Sequence, residues 1–275
     1  MMKWLKFFRI VNLPTVPGDV LVGFAAAMAV VPRCVSPAAG NGSLYDAAPE
    51  TGGGTVLCAC LASCFLYLWG LADNDIVGAK TDTDRPIPNG EISLGAARVA
   101  RALCLAAALA CAVAGGLTTA WGCTAGVLLL AMIVYNRTKW SPVMGLCRGL
   151  NVLCGVMAVT VPRCVSPAAL NGVGFLPAAG ETHRGTVALL CYFLPPLLWT
   201  LYIWFVTKLS KGEETDPMKK QLVGALIGGL VYLQLAALVV FAVIEPATNK
   251  LLIAGAVLLI VLRFTKHLLP KVSAS

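Results

Sequence analysis

Apolar residues occur along the chain in long blocks that are separated by short charged or Gly- and Pro-rich segments. Because about 20 consecutive apolar residues cross a bilayer as a helix, blocks near this length are predicted to be membrane spans. We identify eight of them, at residues 14–31, 55–72, 93–115, 117–135, 143–161, 186–206, 220–243 and 249–268. Within the blocks apolar and polar residues do not alternate, as they would in the strands of a transmembrane barrel. The pattern predicts an all-α polytopic membrane protein with about eight transmembrane helices.

The composition agrees with this class of protein. Hydrophobic residues make up 58% of the chain and charged residues only 12%, which excludes a disordered chain and an ordinary water-exposed surface. Lys and Arg number 21 against 13 Asp and Glu, for a net charge of +8. In a polytopic protein such an excess belongs to cytoplasmic loops and requires no nucleic-acid partner. A cytoplasmic N-terminus leaves only Arg33, Arg163, Arg184 and Lys250 on the outside, so we expect that orientation.

One segment of the chain occurs twice. The residues from Val31 to Ala39 recur, letter for letter, from Val161 to Ala169. Four predicted spans lie between the copies, so both copies face the same side of the membrane. This predicts a single transmembrane domain over residues 1–275, with parallel four-helix halves at about 1–139 and 140–275. A shared external turn is the simpler explanation of the repeat, and a disulfide between Cys34 and Cys164 is left open.

Acidic residues are concentrated in two loops on the predicted cytoplasmic side. The loop after the second span holds Asp73, Asp75, Asp82, Asp84 and Glu91, and the loop after the sixth span holds Glu213, Glu214 and Asp216. Basic residues accompany them: Lys80, Arg85, Lys208 and Lys211. Acids also gather in solvated loops without any function. The mixture nevertheless suits a site for Mg²⁺ and a polyanion, because Mg²⁺ prefers a few carboxylates together with phosphate oxygens and water.

Several motifs resemble those of the UbiA-type intramembrane prenyltransferase superfamily. Asn74-Asp75, then Asp82, then the run from Arg85 to Gly90 resembles its first acidic signature. The segment from Tyr135 to Lys139 is similar to its Tyr-x-x-x-Lys element, and the segment from Met144 to Asn151 looks like the helix that follows. The loop from Thr207 to Asp216 falls where the second acidic motif belongs, and Arg9 with Asn12 resembles the start of the first span.

The sequence also departs from the pattern of that superfamily. Gly78 stands where a second Asp is expected, the run from Asp75 to Arg85 is short, and Asp73 or Asp84 could replace the missing ligand. The second motif is rich in Glu. Eight spans are found where nine are usual, which leaves a minimal member and an inactive truncated member as alternatives.

The resemblance implies Mg²⁺-dependent transfer of a prenyl group from an isoprenyl diphosphate to an acceptor, often aromatic, with release of diphosphate. It implies as metal ligands Asp75, Asp82, Asp84, Glu213, Glu214 and Asp216. It implies as catalytic residues Asp75, Asp82, Arg85, Tyr135 and Lys139. As substrate-binding residues we expect Asn12, Asn74, Arg148, Asn151, Lys208 and Lys211. The expected partners are the diphosphate, a small or lipid-soluble acceptor and the bilayer, with the active-site loops on the cytoplasmic face of a bacterial inner membrane.

Two expectations follow from helix geometry. Arg148 lies inside the fifth predicted span, where an unpaired charge is costly, so it should face a cavity and pair with an acid or with substrate. Asn151, one turn further, should line the same face. Glu213 and Asp216 would lie one helical turn apart at the end of the sixth span and hold a second metal ion together.

Two other functions compete with prenyl transfer. A transporter would share the parallel repeats, but transporters place their ionisable residues near the middle of the bilayer, and here they cluster in loops. A CDP-alcohol phosphotransferase also uses an Asp-rich site at a membrane surface. Its expected Asp-Gly-x-x-Ala-Arg run does not occur in this sequence.

Overall fold

The computed structural model describes residues 2–9, 13, 15–29, 53–80, 82–83, 85–159, 182–211, 216–244, 253, 255–257 and 260. Within these ranges every regular element is a helix. The helices are α1 (Met2–Phe7), α2 (Thr15–Met28), α3 (Gly53–Val77), α4 (Leu94–Ala114), α5 (Thr119–Thr138), α6 (Ser141–Met157), α7 (Thr182–Ser210) and α8 (Pro217–Ile244). A 3₁₀ turn, Gly78–Lys80, continues α3.

Four helices of the described chain are long and apolar enough to cross a membrane. They are α3 with its 3₁₀ turn, α4, α5 and α8, and the apolar helices α2 and α6 are shorter. The outer face of α4 carries Leu103, Leu109 and Val113 at 64%, 66% and 75% exposure. An exposed row of large apolar side chains is unfavourable in water and suits contact with lipid. The predicted class, an all-α polytopic membrane protein, is confirmed.

The predicted spans match the helices in order. The seven blocks from 14–31 to 220–243 coincide with α2 to α8. In the eighth block, 249–268, the described residues 253, 255–257 and 260 are helical. The total of eight membrane crossings and the division of the chain into two halves stay predictions. Both copies of the repeated segment, with Cys34 and Cys164, lie outside the described residues.

Helix α2 lies at the centre of the bundle. It contacts α3, α6, α7 and α8, and its residues from Val16 to Ala27 are all buried. Its backbone crosses that of α6 closely, because a Cβ atom on Gly23 would overlap the carbonyl of Val152. Small residues at such a crossing let two membrane helices approach. The close crossing brings polar residues of α6 against α2.

A two-residue turn joins α5 to α6. Lys139 ends α5 in the left-handed conformation, with a φ of 52°, and its backbone N–H donates to the carbonyl of Tyr135 at 2.7 Å. Pro142 lies in the first turn of α6, where its missing N–H costs no helical hydrogen bond. The turn places the Lys139 side chain against Asn74, near the end of α3.

Candidate active site

A cavity of about 210 Å³ opens among α2, α3, α5 and α6. Its apolar walls include Leu71, Leu128, Met132, Met144 and Cys147. One set of polar lining residues, here called the cationic end, consists of Arg9, Asn74, Arg85 and Lys139. A second set, the inner end, consists of Ser63, Arg148 and Asn151. Asn74 and Ser63 are eleven positions apart on α3, which corresponds to about 16 Å along the helix axis.

Two carboxylates share the cations of the cationic end. Arg85 forms an ion pair with Asp75 through Nη1 and another with Asp82 through Nη2, the latter at 2.7 Å. Arg9 Nη2 lies 3.7 Å from Asp75 Oδ1. Asp75 is buried and lies in α3, whereas Asp82 is half-buried and lies in the loop that follows. Because both pair with Arg85, the ion pairs connect the end of α3 to this loop. With Lys139, three cations meet two carboxylates here and leave one positive charge.

Backbone conformation also marks this end. Among the described residues, Arg9 and Lys139 are the non-glycine residues with positive φ, at 41° and 52°. Such conformations are unfavourable for residues with a Cβ atom and often occur at functional sites. Lys139 Nζ donates to Asn74 Oδ1 and lies 5.8 Å from the centroid of the Tyr135 ring. Burial lowers the pKa of Lys139, and the neighbouring Arg85 lowers it further.

A side chain at position 78, where the motif would have its second Asp, would meet the Asp82 carboxylate. A Cβ atom on Gly78 would lie 2.7 Å from Asp82 Oδ2 and 3.8 Å from Arg85 Nη1. Contacts below 3 Å between a Cβ and an oxygen are repulsive, so a side chain at position 78 would displace the Asp82 carboxylate. The short loop brings Asp82 into the space that a larger residue at 78 would need.

The inner end depends on a residue that the sequence-based predictions missed. Asp19, in α2, is fully buried, and Arg148 Nε lies 3.0 Å from its Oδ2. Trp199 Nε1 and Gln234 Nε2 donate to its Oδ1 at 2.9 and 2.7 Å. The carboxylate thus joins α2 to α6, α7 and α8. Arg148 was expected to face a cavity and pair with an acid, and the acid is Asp19.

Asn151 completes the inner end. Its Nδ2 donates to the Val16 carbonyl at 3.1 Å and to Asp19 Oδ2 at 3.2 Å, and its Oδ1 accepts from Ser63 Oγ. It lies on the same face as Arg148, as expected. The amide is therefore held from two helices and cannot rotate without losing these bonds.

Asp73 does not line the cavity itself, but it belongs to a polar cluster that includes the lining residues Asn136 and Gly70. Its Oδ1 pairs with Arg101 at 2.6 Å, and its Oδ2 accepts from Asn136 Nδ2 at 3.0 Å. Asn136 donates in addition to the Gly70 carbonyl at 3.0 Å. These contacts engage both carboxylate oxygens of Asp73 in bonds between helices α3, α4 and α5, and its role as a substitute ligand stays a prediction.

The second acidic loop is only partly described. Lys208 and Lys211 are exposed, and neither lines the cavity. Asp216 precedes α8, and its Oδ1 accepts from the backbone N–H groups of Met218 and Lys219, at 3.0 and 3.3 Å. Because α7 ends at Ser210, the expectation that Asp216 shares a helical turn with Glu213 at the end of that span is wrong. The predicted site residues Asn12, Asp84, Glu213 and Glu214 lie outside the described residues.

The chemistry of the donors at the cationic end fits Mg²⁺. Asn74, Asp75 and Asp82 offer amide and carboxylate oxygens, the ligand type that this ion prefers. Three or more His, Cys, Asp or Glu side chains do not converge anywhere in the part of the chain that the structure describes. Mg²⁺ needs only one or two carboxylates when phosphate oxygens and water complete its coordination, so a pair of Asp residues suits a metal that arrives with a diphosphate.

The sequence matches no protein-family model, and no curated protein shows a significant match to it. Among solved structures, the chain is similar to a digeranylgeranylglyceryl phosphate synthase, with 17% identity and a TM-score of 0.47, over 99% of this chain and 89% of that one. It is also similar to a UbiA homologue from Archaeoglobus fulgidus, with 14% identity and a TM-score of 0.48, over 97% of this chain and 86% of that one. The same homologue bound to GPP and Mg²⁺ shows 16% identity and a TM-score of 0.47, over 97% of this chain and 98% of that one.

Proposed function

We propose that this protein transfers a prenyl group from an isoprenyl diphosphate to an acceptor inside the membrane, with Mg²⁺, and releases diphosphate. The observation that carries the proposal is the cavity itself. Arg9, Arg85 and Lys139 stand at one end of a cavity whose walls are apolar and two of whose helices, α3 and α5, are long and apolar enough to cross a membrane. A molecule with a polyanionic head and a hydrocarbon tail matches that distribution of charge and hydrophobicity.

The cationic end would bind the diphosphate. The planar guanidinium groups of Arg9 and Arg85 can each donate two parallel hydrogen bonds to phosphate oxygens, and Lys139 supplies a compact charge. Asp75 and Asp82, with the amide oxygen of Asn74, would hold Mg²⁺, which when bound supplies positive charge to the diphosphate leaving group. Asp75 and Asp82 would then no longer have to neutralise Arg85, whose guanidinium becomes available to the substrate.

The reaction forms a bond between the acceptor nucleophile and C1 of the prenyl group as the bond from C1 to the diphosphate oxygen breaks. The electron pair of that bond leaves with the diphosphate, and the acceptor loses a proton. Arg85 and Lys139 would stabilise the charge that develops on the leaving oxygen. The Tyr135 ring lines the cavity and lies against Lys139, so its π face could shield a positive charge that develops on the allylic carbon.

The apolar walls would hold the hydrocarbon chain and exclude water. Leu71, Leu128 and Met132 line the cavity beyond the cationic end. Exclusion of water protects an allylic cation from hydrolysis and strengthens the ionic interactions at the diphosphate.

The decisive experiment is transfer by the purified protein in detergent. Radiolabelled dimethylallyl, geranyl and longer prenyl diphosphates are incubated with a panel of phenolic and alcoholic acceptors, with Mg²⁺ or with excess chelator. We expect labelled, hydrophobic product only with Mg²⁺, together with stoichiometric diphosphate. Transfer of a phosphoalcohol from a CDP-alcohol, or substrate uptake into proteoliposomes without covalent product, would replace the proposal by one of the competing functions.

The proposal also places the cationic end at the cytoplasmic face. A reporter fused after Asn89, in the loop that follows Arg85, should report the cytoplasm, and one fused after Asn41 should report the opposite side. The same location for both reporters would overturn the orientation.

A further inference from the structure

The short N-terminal helix α1 packs beside the cationic end of the cavity through Phe7, which is fully buried. This ring forms a second hydrophobic cluster with three residues from α3, the loop that follows it and α4: Ala72, Ile92 and Ala97. The first of these lies in α3 one turn before Asp75, and the second lies in the loop that also carries Arg85. Phe7 therefore packs on the same two segments that supply the ion pair of Asp75 and Arg85.

Two further aromatic rings surround Phe7. The rings of Trp4 and Phe8 meet it edge to face, with centroids 5.5 and 4.9 Å away. Trp4 and Phe8 also stack on each other at 6.0 Å. Helices shorter than about 12 residues are marginal on their own, and α1 has only six residues. Its structure therefore depends on the packing of these rings against α3, α4 and the loop between them.

Arg9 follows α1 directly and reaches the cationic end, where it lines the cavity. Its own contacts hold it weakly. The φ of 41° is a conformation that persists only when the surrounding structure imposes it. Its guanidinium is 43% exposed, and the 3.7 Å to Asp75 is longer than a hydrogen bond. The nearby cations Arg85 and Lys139 repel it, and a metal ion on Asp75 would weaken the remaining attraction further.

We infer that Phe7 is a positioning residue for Arg9, and that its packing against α3, α4 and the loop between them holds the Arg9 guanidinium where the diphosphate binds. The inference rests on the proposed function for the identity of the ligand. Phe7 does not itself line the cavity, so it acts through Arg9 and not by contact with the substrate.

Binding of geranyl diphosphate with Mg²⁺ tests the inference, measured on the purified protein in detergent by equilibrium dialysis with empty micelles as the blank. Phe7→Ala and Arg9→Gln should each weaken the affinity by about tenfold, because hydrogen bonds from arginine to phosphate are charge-assisted. The double variant should bind no more weakly than Arg9→Gln alone, because no guanidinium is then left to position. Phe7→Leu keeps an apolar side chain and should recover most of the affinity.

Phe24→Ala is the matched control. Phe24 lies in α2, is as buried as Phe7 and belongs to the main core, and it does not line the cavity. Its truncation removes the same ring and should destabilise the protein, but the folded variant should keep the wild-type affinity. If Phe7→Ala does not fold, Phe7→Leu and Phe7→Val take its place, and the affinity should fall as the side chain becomes smaller.

Trypsin provides a second measurement that needs no ligand. Cleavage after Lys6, beside the buried Phe7, or after Arg9 requires this segment to leave its packed position. The rate is followed by mass spectrometry of the N-terminal peptides in the absence of diphosphate. We expect cleavage at least about tenfold faster in Phe7→Ala than in the wild type, and an unchanged rate in Phe24→Ala.

The outcomes separate this inference from the proposed reaction. Wild-type affinity in Phe7→Ala, a further loss in the double variant, an equal loss in Phe24→Ala, or wild-type cleavage in Phe7→Ala each overturns the positioning role. If the wild-type protein fails to bind geranyl diphosphate while cleavage still depends on Phe7, the proposed reaction falls and the positioning of Arg9 by Phe7 stands.

Discussion

The cationic end of the cavity is built where helices stop, whereas the inner end is built from the interior of helices. Asn74 and Lys139 lie near the ends of α3 and α5, and Arg9 and Arg85 lie in connecting segments. Asp19, Ser63 and Arg148 each lie inside a helix. Loops and helix ends can rearrange around a charged substrate, and residues within packed helices are held by many neighbours. We therefore expect substitutions at the cationic end to change mainly activity, and substitutions at the inner end to change mainly stability.

The largest effect expected from this comparison is on activity at the cationic end. Asp75→Asn keeps the shape of the side chain and removes its charge, so transfer should fall at least about 100-fold, with Asp82→Asn behaving similarly. The fold should be little affected, because asparagine fills the same space and Arg85 keeps its ion pair with Asp82. The measurement is kcat/KM for prenyl transfer beside unfolding in detergent.

Asp73→Asn is the control for that experiment. Asp73 and Asp75 are both buried near the end of α3, but only Asp75 pairs with Arg85. Activity that survives in Asp75→Asn, or an equal loss in Asp73→Asn, would contradict the assignment of the cationic end.

The second effect is on stability at the inner end. Arg148→Met leaves the fully buried Asp19 without its cation, which should cost about 3–5 kcal/mol of the free energy of unfolding. Arg101→Met removes a guanidinium that is 36% exposed, so water can reach the pair with the buried Asp73, and the loss should be smaller, about 1 kcal/mol. Denaturant titration of both variants in the same detergent compares the two losses. Equal losses would show that the inner end is not a special contributor to stability.

The two ends also differed in how far the sequence could predict them. Asn74, Asp75 and Arg85 lie in one short run, and Lys139 follows Tyr135 by one helical turn, so local motifs indicated the cationic end. The pair of Asp19 and Arg148 joins positions 129 residues apart, and no local pattern relates them. The sequence did contain a signal for this pair. Asp19 lies in the first predicted span and Arg148 in the fifth, and because each charge alone is costly in a membrane, the two could have been predicted to pair.

The helices themselves were predictable because apolar blocks near the length of a span are read directly from the sequence. The position of Asp216 in the second acidic loop was not predictable in the same way, because the expectation assumed that α7 continued past Ser210. Helix ends depend on capping, and Asp216 is used as the cap of α8. Exposure of Lys208 and Lys211 likewise depends on how α7 packs, which composition does not reveal.

Gly78 offers a third test, of intermediate size, within the cationic end. Restoring the acid of the superfamily pattern by Gly78→Asp should lower activity, by about tenfold, because the new Cβ displaces the Asp82 carboxylate. Gly78→Ala adds the same Cβ without charge and should have a similar effect if sterics dominate. Initial rates over a Mg²⁺ titration measure both. A gain of activity in Gly78→Asp would mean that the loop can make room for a side chain at position 78, and that a second Asp there is compatible with this site.

The smallest expected effect is a pH dependence that only the cationic end should show. Lys139 has a lowered pKa, through burial first and Arg85 second, so it loses its proton at a lower pH than an ordinary lysine. The protonated form is the one that attracts diphosphate. Geranyl diphosphate affinity should therefore weaken severalfold as pH rises from neutral to about 10, the range below and near the usual pKa of lysine.

Lys139→Arg should remove this decline, because a guanidinium stays protonated throughout. Asp73→Asn, which keeps Lys139, provides the comparison and should show the same decline as the wild type. A decline that persists unchanged in Lys139→Arg would assign the effect to other groups of the protein and remove Lys139 as its cause.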